Sequence, residues 1–340
     1  MRHRFAWAAC YALVLAALSG YTLLDAFVIP KAYARVEEGT ASVAQTAQTG
    51  SSADSGVSYS AHGSSAGEDG ASADASVESS SDASAGNASA AAGTSSQTPQ
   101  STATSYVDEN ISINIQTLRV ADTNVYVADV QVSSVEYLKT AFAQATYGRN
   151  VKDETSAIAE QAGAILAING DFYGWRDYGY VLRNGQLYRD VAAGNDVLVV
   201  SGDGTMYAVS DSQVTAEELL AAGAWQVESF GPVLVDGGEV VVGESEEVGQ
   251  AMRSNPRTAI GMVSPLHYVL VVSDGRTDEN AGLSLYQLAQ VMVDAGCSFA
   301  YNLDGGGSST MWFQGELVND PSSGRSSDER SVSDIVYIGY

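Results

Sequence analysis

The sequence predicts an α+β domain, and three observations lead to this class. Apolar and polar residues alternate with the period of a β-strand at many places between residues 106 and 340. Hairpin-type Asn-Gly and Asp-Gly pairs separate apolar runs, and capped helical patterns are few. We therefore expect a single mixed domain, rich in strands and hairpins with a few helices, preceded by a membrane helix and a disordered stalk.

Strands are expected where β-branched and aromatic residues alternate with polar ones. The segments predicted as strands are residues 111–115, 125–127, 165–169, 197–200, 258–263, 267–272 and 335–338. The pairs Asn184-Gly185 and Asp236-Gly237 predict hairpin turns, because Asn, Asp and Gly tolerate positive φ.

Helical periodicity is confined to three segments of the domain, residues 155–162, 215–222 and 284–295. Thr215 and Ser284 begin the second and third segments, where a hydroxyl oxygen can accept a hydrogen bond from a free amide of the first turn. The sequence shows no internal repeat.

The first 29 residues predict a membrane anchor. Residues 1–4 carry two arginines, and an uncharged run starts at residue 5 that is close to the length needed to span a hydrocarbon core of ~30 Å. We expect residues 1–4 in the cytoplasm, residues 5–29 as a transmembrane helix or uncleaved signal anchor, and the rest outside the cell as a single-pass protein. A small-x-small triplet ending at Ala34 leaves an alternative, a product secreted after cleavage near that residue.

Residues 35–105 predict a disordered linker. Ser, Ala, Gly, Thr and scattered acids dominate, Tyr59 is the only aromatic residue, and no Lys or Arg follows Arg35. Such a segment cannot bury enough apolar surface to offset the entropy lost on ordering. Aromatic and β-branched residues return at Tyr106, so the folded domain is expected at residues 106–340.

Charge and residue counts exclude several classes of function. The chain has 41 acidic residues against 16 lysines and arginines, a net charge of −25, and no basic patch, which argues against a nucleic-acid partner. Cys10 and Cys297 lie in different regions, so no disulfide is expected within the domain. His267 is the only His of the domain, which excludes zinc sites of two or three His, and an ordinary half-buried role is expected for it.

Polar residues interrupt the end of the strand predicted at 165–169. Asn169, Gly170, Asp171, Phe172 and Tyr173 combine a flexible turn, a carboxylate and two rings. A tight turn in which Asn and Asp bond their own backbone is the alternative.

A second junction contains Asp304, Gly305, Gly306, Gly307 and Ser308. Three consecutive glycines are entropically unfavourable, so we expect a group that approaches the main chain closely, such as an anion held by free amides and a hydroxyl. The motif is not a Walker loop, since no Gly-Lys-Ser/Thr follows. A flexible hairpin loop is the alternative.

Two further junctions supply cations and another carboxylate. Arg257 and Thr258 begin one predicted strand, and Asp274, Gly275 and Arg276 follow the next. A guanidinium is well shaped for bidentate contact with phosphate or carboxylate, although a surface ion pair is equally consistent with the sequence.

Taken in order, the motifs Asn-Gly-Asp-Phe-Tyr, Arg-Thr-Ala-Ile-Gly, Ser-Asp-Gly-Arg and Asn-Leu-Asp-Gly-Gly-Gly-Ser-Ser-Thr resemble the phosphodiester glycosidase family. The animal member is the lysosomal uncovering enzyme, which removes N-acetylglucosamine from a mannose 6-phosphate diester, and bacterial relatives are often labelled exopolysaccharide biosynthesis proteins. The resemblance covers residues 164–340 well and the earlier strands loosely. The animal enzyme has cysteine-rich modules that this chain lacks, so its substrate cannot be transferred.

The resemblance implies an extracytoplasmic α+β catalytic domain that hydrolyses a sugar-1-phosphodiester. The matching positions are Asn169, Gly170, Asp171, Phe172, Arg257, Thr258, Asp274, Gly275, Asp304, Gly305, Gly306, Gly307 and Ser308. We expect Arg257 and the amides of residues 305–308 at the phosphate, and Asp304 and Asp171, with Asp274 as a third candidate, in the catalytic steps. No cofactor is required by this chemistry, but Asp171, Asp274 and Asp304 are also candidate ligands of Ca²⁺ or Mg²⁺.

Two other functions fit the same residues. In a noncatalytic module that binds wall carbohydrate, aromatic side chains would form a platform for sugar rings, namely Phe172, Tyr173, Trp175, Tyr178 and Tyr180. In exopolysaccharide biosynthesis by transglycosylation, a sugar hydroxyl would replace water as acceptor at the same site. The sequence does not predict the oligomeric state.

Overall fold

The structure, a computed structural model, describes residues 6–36, 99–246, 254–322 and 328–340. All of these belong to one compact unit. The predicted cytoplasmic residues 1–4 and most of the predicted 35–105 linker lie outside the described residues.

The N-terminal region forms a helix, α1 (Ala6–Phe27), followed by a short strand, β1 (Lys31–Arg35). The segment predicted to span a membrane is therefore helical. Among the described residues, no helix is both long enough and apolar enough to cross a membrane. Asn150 donates from Nδ2 to the carbonyl oxygens of Ala26 and Ile29, 3.3 Å each, which ties the end of this region to the domain.

The remaining strands are numbered along the chain. They are β2 (Gln100–Ser101), β3 (Ser105–Val107), β4 (Ile111–Val120), β5 (Thr123–Val132), β6 (Leu138–Phe142), β7 (Thr146–Arg149), β8 (Leu166–Asn169), β9 (Val181–Arg183), β10 (Gln186–Arg189), β11 (Asp196–Ser201), β12 (Met206–Ser210), β13 (Ala224–Glu228), β14 (Val233–Asp236), β15 (Glu239–Val240), β16 (Arg257–Ser264), β17 (His267–Ser273), β18 (Phe299–Asn302), β19 (Met311–Phe313), β20 (Glu316–Leu317) and β21 (Asp334–Ile338). The helices of the domain are α2 (Thr155–Gln161), α3 (Ala216–Ala221) and α4 (Leu285–Asp294).

The strands of the domain form three large sheets. A nine-stranded sheet has the order β15-β14-β18-β16-β17-β5-β4-β3-β2, and the five-stranded sheets are β10-β9-β13-β11-β12 and β20-β19-β8-β21-β6. A fourth, two-stranded sheet pairs β1 with β7. Neighbouring strands that the structure describes run antiparallel, which agrees with the recurrent hairpins of the sequence. The α+β prediction is confirmed.

The main hydrophobic core lies where the nine-stranded sheet meets the five-stranded sheets. Alternate residues of β4, Ile111, Ile113 and Ile115, point into it, opposite Leu166 and Ile168 of β8. The other face of the nine-stranded sheet packs against α4. This alternation explains why strand periodicity could be detected in the sequence.

Each predicted strand and helix coincides with an observed one, with ends shifted by a few residues. Thr215 and Ser284 accept hydrogen bonds from the amides of Glu218 and Gln287, so both predicted caps are confirmed. The ordered sheet begins at β2, before the predicted start at residue 106. The sequence shows no sign of β2 because a polar two-residue edge strand carries no hydrophobic signal.

The two predicted hairpins are present. Asn184 and Gly185 have φ of 51° and 73° and join β9 to β10, as expected. Asp236 instead ends β14, and the turn to β15 is made by Gly237 and Gly238 at φ of 59° and 83°. Two adjacent glycines adopt the left-handed region more readily than Asp, which moved this turn by one residue.

Candidate active site

Asn169, the last residue of β8, links three loops. Its Nδ2 donates to the main-chain oxygen of Asp304 at 2.6 Å, and its Oδ1 accepts from the Thr258 hydroxyl at 2.8 Å and from the Thr310 amide at 3.3 Å. Asn169 and Thr258 are both fully buried. The predicted Asn-Gly-Asp and glycine-rich motifs therefore converge, and Asn169 holds them together.

Gly170 brings the same loops together through its backbone. Its amide donates to the Asp334 main-chain oxygen at 3.0 Å, and its carbonyl oxygen accepts from the Asp304 amide at 3.3 Å. A Cβ at this position would collide with the carboxylate of Asp334. Gly170 is therefore needed for close packing inside the protein.

Asp171 lies behind the loops and is buried. Its oxygens accept from the Tyr173 amide at 2.7 Å and the Ser229 amide at 3.1 Å. Its Oδ2 also lies 3.1 Å from Nη2 of Arg183. With these bonds Asp171 fixes the turn that carries Phe172.

Arg183 is surrounded by three buried carboxyl groups. Nη2 lies 3.1 Å from Asp171, 2.8 Å from Glu228 and 3.0 Å from Asp334. Burial raises the pKa of Asp334 to about 7 and the pKa of Glu228 well above its usual range, since a single guanidinium faces three acids. We call Asp171, Arg183, Glu228 and Asp334 the Arg183 cluster.

The predicted metal ligands do not assemble as expected. Among the described residues, three carboxyl groups lie within 4.8 Å of one another at Asp171, Glu228 and Asp334, without Asp274 or Asp304. Nη2 of Arg183 already contacts one oxygen of each, at 2.8–3.1 Å, which is the position a cation would need. These residues suit a buried guanidinium and do not fit a divalent ion.

A cavity of about 260 Å³ opens where the loops meet. Among the residues that the structure describes, four arginines contribute to its wall, Arg176, Arg257, Arg276 and Arg330, and Asp304 is the one acidic residue of the lining. The rest of the wall is formed by Phe172, Phe230, Asn255, Asn302, Leu303, Gly305 and Gly306. In a strongly acidic chain, four guanidiniums at one cavity indicate an anionic ligand.

Asp304 is placed in the cavity by the loop after β18. Burial raises its pKa to about 6, while the Ser308 hydroxyl, the Arg330 charge and the Gly305 amide favour the carboxylate. Its side chain therefore changes charge close to neutral pH. That property suits a catalytic carboxyl group.

The glycine-rich loop is shaped by two guanidiniums. A Cβ on Gly306 would lie 2.8 Å from Nη2 of Arg276, and one on Gly307 would lie 2.6 Å from Nη2 of Arg330. The glycines therefore leave room for two arginine side chains that line the cavity.

The expectation of free amides along residues 305–308 is wrong at two positions. The Gly306 amide donates to the Pro256 oxygen at 2.8 Å, and the Ser308 amide donates to the Gly305 oxygen at 3.3 Å. Gly307 and Ser308 do not line the cavity. Ser308 instead contributes its hydroxyl to Asp304 and to Arg330, whose Nη1 donates to Ser308 Oγ at 3.5 Å.

Arg257 lines the cavity as predicted, whereas Asp274 and Gly275 do not. Asp274 accepts from the Tyr126 hydroxyl at 3.1 Å and the Asp320 amide at 3.0 Å, and burial raises its pKa. A Cβ on Gly275 would lie 2.6 Å from the Pro256 nitrogen. Asp274 and Gly275 thus support neighbouring loops rather than face the cavity.

Several important residues escaped the sequence analysis. Arg176 and Arg330 belong to the cavity wall, and Arg183 and Glu228 form the buried cluster. One signal was available in the sequence, the scarcity of cations in residues 106–340. In so acidic a chain, each Arg is a candidate for binding an anion or pairing with a buried acid.

The aromatic platform is not formed as expected. Tyr173 and Tyr180 are each 2% exposed and belong to the interior. Trp175 stacks on Phe172 with ring centroids 5.6 Å apart and carries the Lys152 ammonium 3.7 Å from its ring centroid. Trp175 and Tyr178 are exposed, whereas Phe172 lines the cavity, so the five rings do not form one surface as expected.

Comparisons of the sequence with known proteins match one family. The family model for phosphodiester glycosidase matches residues 162–339. The SPbeta prophage-derived uncharacterized protein YomE of Bacillus subtilis is 31% identical over 202 residues, which are 57% of this chain and 31% of that protein. The N-acetylglucosamine-1-phosphodiester alpha-N-acetylglucosaminidase of Bos taurus is 28% identical over 181 residues, 48% of this chain and 34% of the bovine protein. This chain spans about a third of the length of these relatives.

A solved structure shares the fold. The catalytic domain of the zebrafish N-acetylglucosamine-1-phosphodiester alpha-N-acetylglucosaminidase, auto-inhibited by its pro-peptide, matches with a TM-score of 0.54 and 21% sequence identity. The match covers 68% of this chain and 83% of the zebrafish domain.

Proposed function

Because the chain belongs to the phosphodiester glycosidase family, we propose that its domain hydrolyses a sugar-1-phosphodiester outside the cytoplasm, in the metabolism of a cell-surface polysaccharide. The observation that carries the proposal is the position of Asp304. Within the part of the chain that the structure describes, it is the one carboxyl group in a cavity otherwise charged by four guanidiniums. A reactive acid next to an anion site is what cleavage of a sugar–phosphate bond requires.

The arginines act on the leaving group. When the bond from the sugar carbon to the phosphate oxygen breaks, negative charge grows on a phosphate monoester. Fixed guanidiniums stabilise that charge in a partly enclosed cavity more strongly than water does. A phosphate monoester is also a weak base, so its departure needs little help from a general acid.

Asp304 acts on the sugar carbon in its ionised form. It either attacks that carbon as a nucleophile or takes a proton from the attacking water, and both roles need the carboxylate. One carboxyl group in the cavity is sufficient, because the leaving group needs no strong acid. Retained anomeric configuration in the released sugar, observed by NMR, would identify the nucleophile, and inversion would identify the base.

Asn302 supplies a site for a sugar hydroxyl. Asn302 lines the cavity, and its Nδ2 donates to the Gly231 oxygen at 2.8 Å. Its Oδ1 is buried without a hydrogen-bond partner among the described residues. A buried acceptor without a partner is costly, and a hydroxyl donor relieves that cost. The polar wall therefore suits a sugar.

Asp171 has a positioning role in this proposal. It orders the turn of Phe172 from behind the cavity. Asp274 does the same for the segment that includes Asp320. We expect no requirement for Ca²⁺ or Mg²⁺, since Arg183 fills the centre of the acid cluster, and activity that disappears with EDTA and returns with one added ion would contradict this.

The test compares Asp304→Asn with Asp236→Asn, a control at the exposed last residue of β14. The purified domain is incubated with UDP-sugars and other sugar-1-phosphodiesters, and free sugar and phosphate monoester are measured. We expect Asp304→Asn to lose at least ~10³-fold in kcat/KM while its melting temperature is maintained, and the control to retain full activity. Undiminished turnover by Asp304→Asn would refute the assignment.

Product analysis separates the other candidates. A carbohydrate-binding module would release no sugar from any diester. A transglycosylase would transfer the sugar to an added acceptor hydroxyl in place of water.

We also propose that residues 5–29 anchor the domain on the outer face of the membrane, through a linker. The uncharged run at the N-terminus supports this. Release by cleavage near Ala34 would remove most of β1, which pairs with β7. Cell fractionation with an antibody to the domain distinguishes the anchored from the secreted protein.

A further inference from the structure

The cavity holds more positive charge than a simple phosphodiester would need. Four arginines and a single acid of the described residues line it. A phosphodiester carries one negative charge, so with an ionised Asp304 it supplies two negative charges against the guanidiniums of Arg176, Arg276 and Arg330.

Three of these arginines have neutral partners. Arg276 donates from Nε and Nη2 to Asn255 Oδ1 at 3.0 and 2.8 Å. Arg176 donates to the Ser229 main-chain oxygen at 3.3 Å, and Arg330 donates to Ser308 Oγ. Within the described ranges, no carboxylate forms an ion pair with any of the three.

Two of them are held close to each other. The guanidiniums of Arg276 and Arg330 lie over the adjacent glycines 306 and 307. Burial and the nearby Arg330 charge lower the pKa of Arg276. Like charges kept together at the edge of a cavity are unfavourable until an anion enters between them.

Two arginines elsewhere in the domain meet acids. Arg149 pairs with Asp177, and Arg183 faces three carboxyl groups. The chain has 41 acidic residues available. Arg119 and Arg189 instead donate to neutral oxygens. What distinguishes Arg276 and Arg330 is therefore that they lie over adjacent glycines at a cavity, where an anion can contact both.

We propose that the natural substrate carries a second anionic group, a phosphate or a carboxylate, next to the scissile phosphodiester. The substrate class is thus a diphosphate diester or the phosphodiester of an acidic sugar or polymer. The cleavage of such a substrate rests on the proposed function. Its binding rests on the cavity charges alone.

Binding of small diesters tests the inference without turnover. The probes are dimethyl phosphate, with one charge, dimethyl diphosphate, with two, and carboxymethyl methyl phosphate, whose second charge is a carboxylate. Calorimetry on the whole protein is expected to show at least ~10-fold tighter binding of one of the doubly charged probes than of dimethyl phosphate. The tighter of the two identifies the second anion as phosphate or carboxylate.

Variants test whether the cavity arginines cause the preference. Arg276→Gln and Arg330→Gln are each expected to reduce it at least ~3-fold, whereas Arg119→Gln, outside the cavity lining, leaves it unchanged. Equal affinity for all three probes, or a preference that persists in both variants, would overturn the inference. Tight binding of a doubly charged probe without cleavage of any diester would contradict the proposed function and support the inference. Equal binding and equal turnover of neutral and acidic diesters would contradict the inference and support the proposed function.

Discussion

The hydroxyl of Thr258 donates a hydrogen bond of 2.8 Å to Oδ1 of Asn169. This bond joins the start of β16 to the last residue of β8. The carboxamide of Asn169 then reaches the main chain of Asp304. The position of the proposed catalytic carboxyl group thus depends on a side chain that does not line the cavity.

Asn169→Ala should therefore damage activity through geometry. It leaves the Thr258 hydroxyl and the Thr310 amide without their buried partner, so we expect a loss of about 2–3 kcal/mol in the free energy of unfolding. We expect kcat to fall ~10- to 100-fold with KM nearly unchanged, because a small displacement of a reacting group is enough. Urea titration and steady-state kinetics check this against Asn114→Ala, on an exposed position of β4. A KM effect with normal kcat would assign Asn169 to substrate binding.

The pH dependence of the reaction should report the ionisation of Asp304. Its pKa is about 6, and the carboxylate is the active form, so kcat/KM is expected to be constant above that value and to fall ~10-fold per pH unit below it. Arg330→Gln removes a charge that lowers this pKa, so the acidic limb should move to higher pH. A flat profile between pH 5 and 8 would contradict the role of Asp304.

Removing the cation of the Arg183 cluster should destabilise the fold. Arg183→Met leaves three buried carboxyl groups without their guanidinium, and we expect a loss of about 3–5 kcal/mol in the free energy of unfolding. Arg119→Met, at an exposed site, serves as the control and should cost less than ~1 kcal/mol. If Arg183→Met does not fold, Arg183→Lys gives a milder loss that can be measured.

The same cluster should make stability depend on pH. The pKa of Asp334 is about 7 in the folded protein, above the ordinary value of 3.8, so its contribution to stability is fully present below that ordinary value and is lost as pH rises through about 7. A loss on the order of 2–4 kcal/mol is expected across this range. Asp334→Asn should reduce the slope in chemical denaturation at pH 5, 6, 7 and 8, and the remaining slope is expected from Glu228, whose pKa is also raised. An unchanged slope would place the titrating group elsewhere.

Gly307→Ala tests the explanation for the consecutive glycines. The new methyl group would displace the end of Arg330, so we expect ~10-fold lower kcat/KM with little change in stability. Gly243→Ala is a matched control, because a Cβ there meets nothing within 4 Å. Full activity in Gly307→Ala would show that Arg330 is not needed for turnover.

Much of the fold followed from local rules. The alternation of Ile111, Ile113 and Ile115 marks a strand with one buried face, and Ser284 marks the start of α4 by its cap. Both signals depend on neighbours in sequence. The short strand at Gln100 and the shifted turn at Gly238 depend on pairing across the sheet, which no local pattern encodes.

The site was predicted only where its residues belong to local sequence motifs. Asp304, Arg257 and Phe172 sit at motif positions and line the cavity. Asp171 also matched a motif, but its partner Arg183 lies in a strand without unusual composition, so its burial in an ion cluster could not be anticipated. Arg330 reaches the cavity from a distant segment through tertiary structure alone.

The Arg183 cluster has a consequence for how the domain melts. Arg183 belongs to one five-stranded sheet and Asp334 to the other, and each reaches its partner only when both sheets are in place. If the two sheets separated, Arg183 and Asp334 would each lose the oppositely charged partner that the other sheet supplies. The sheets should consequently lose their structure together, in one cooperative step rather than in succession.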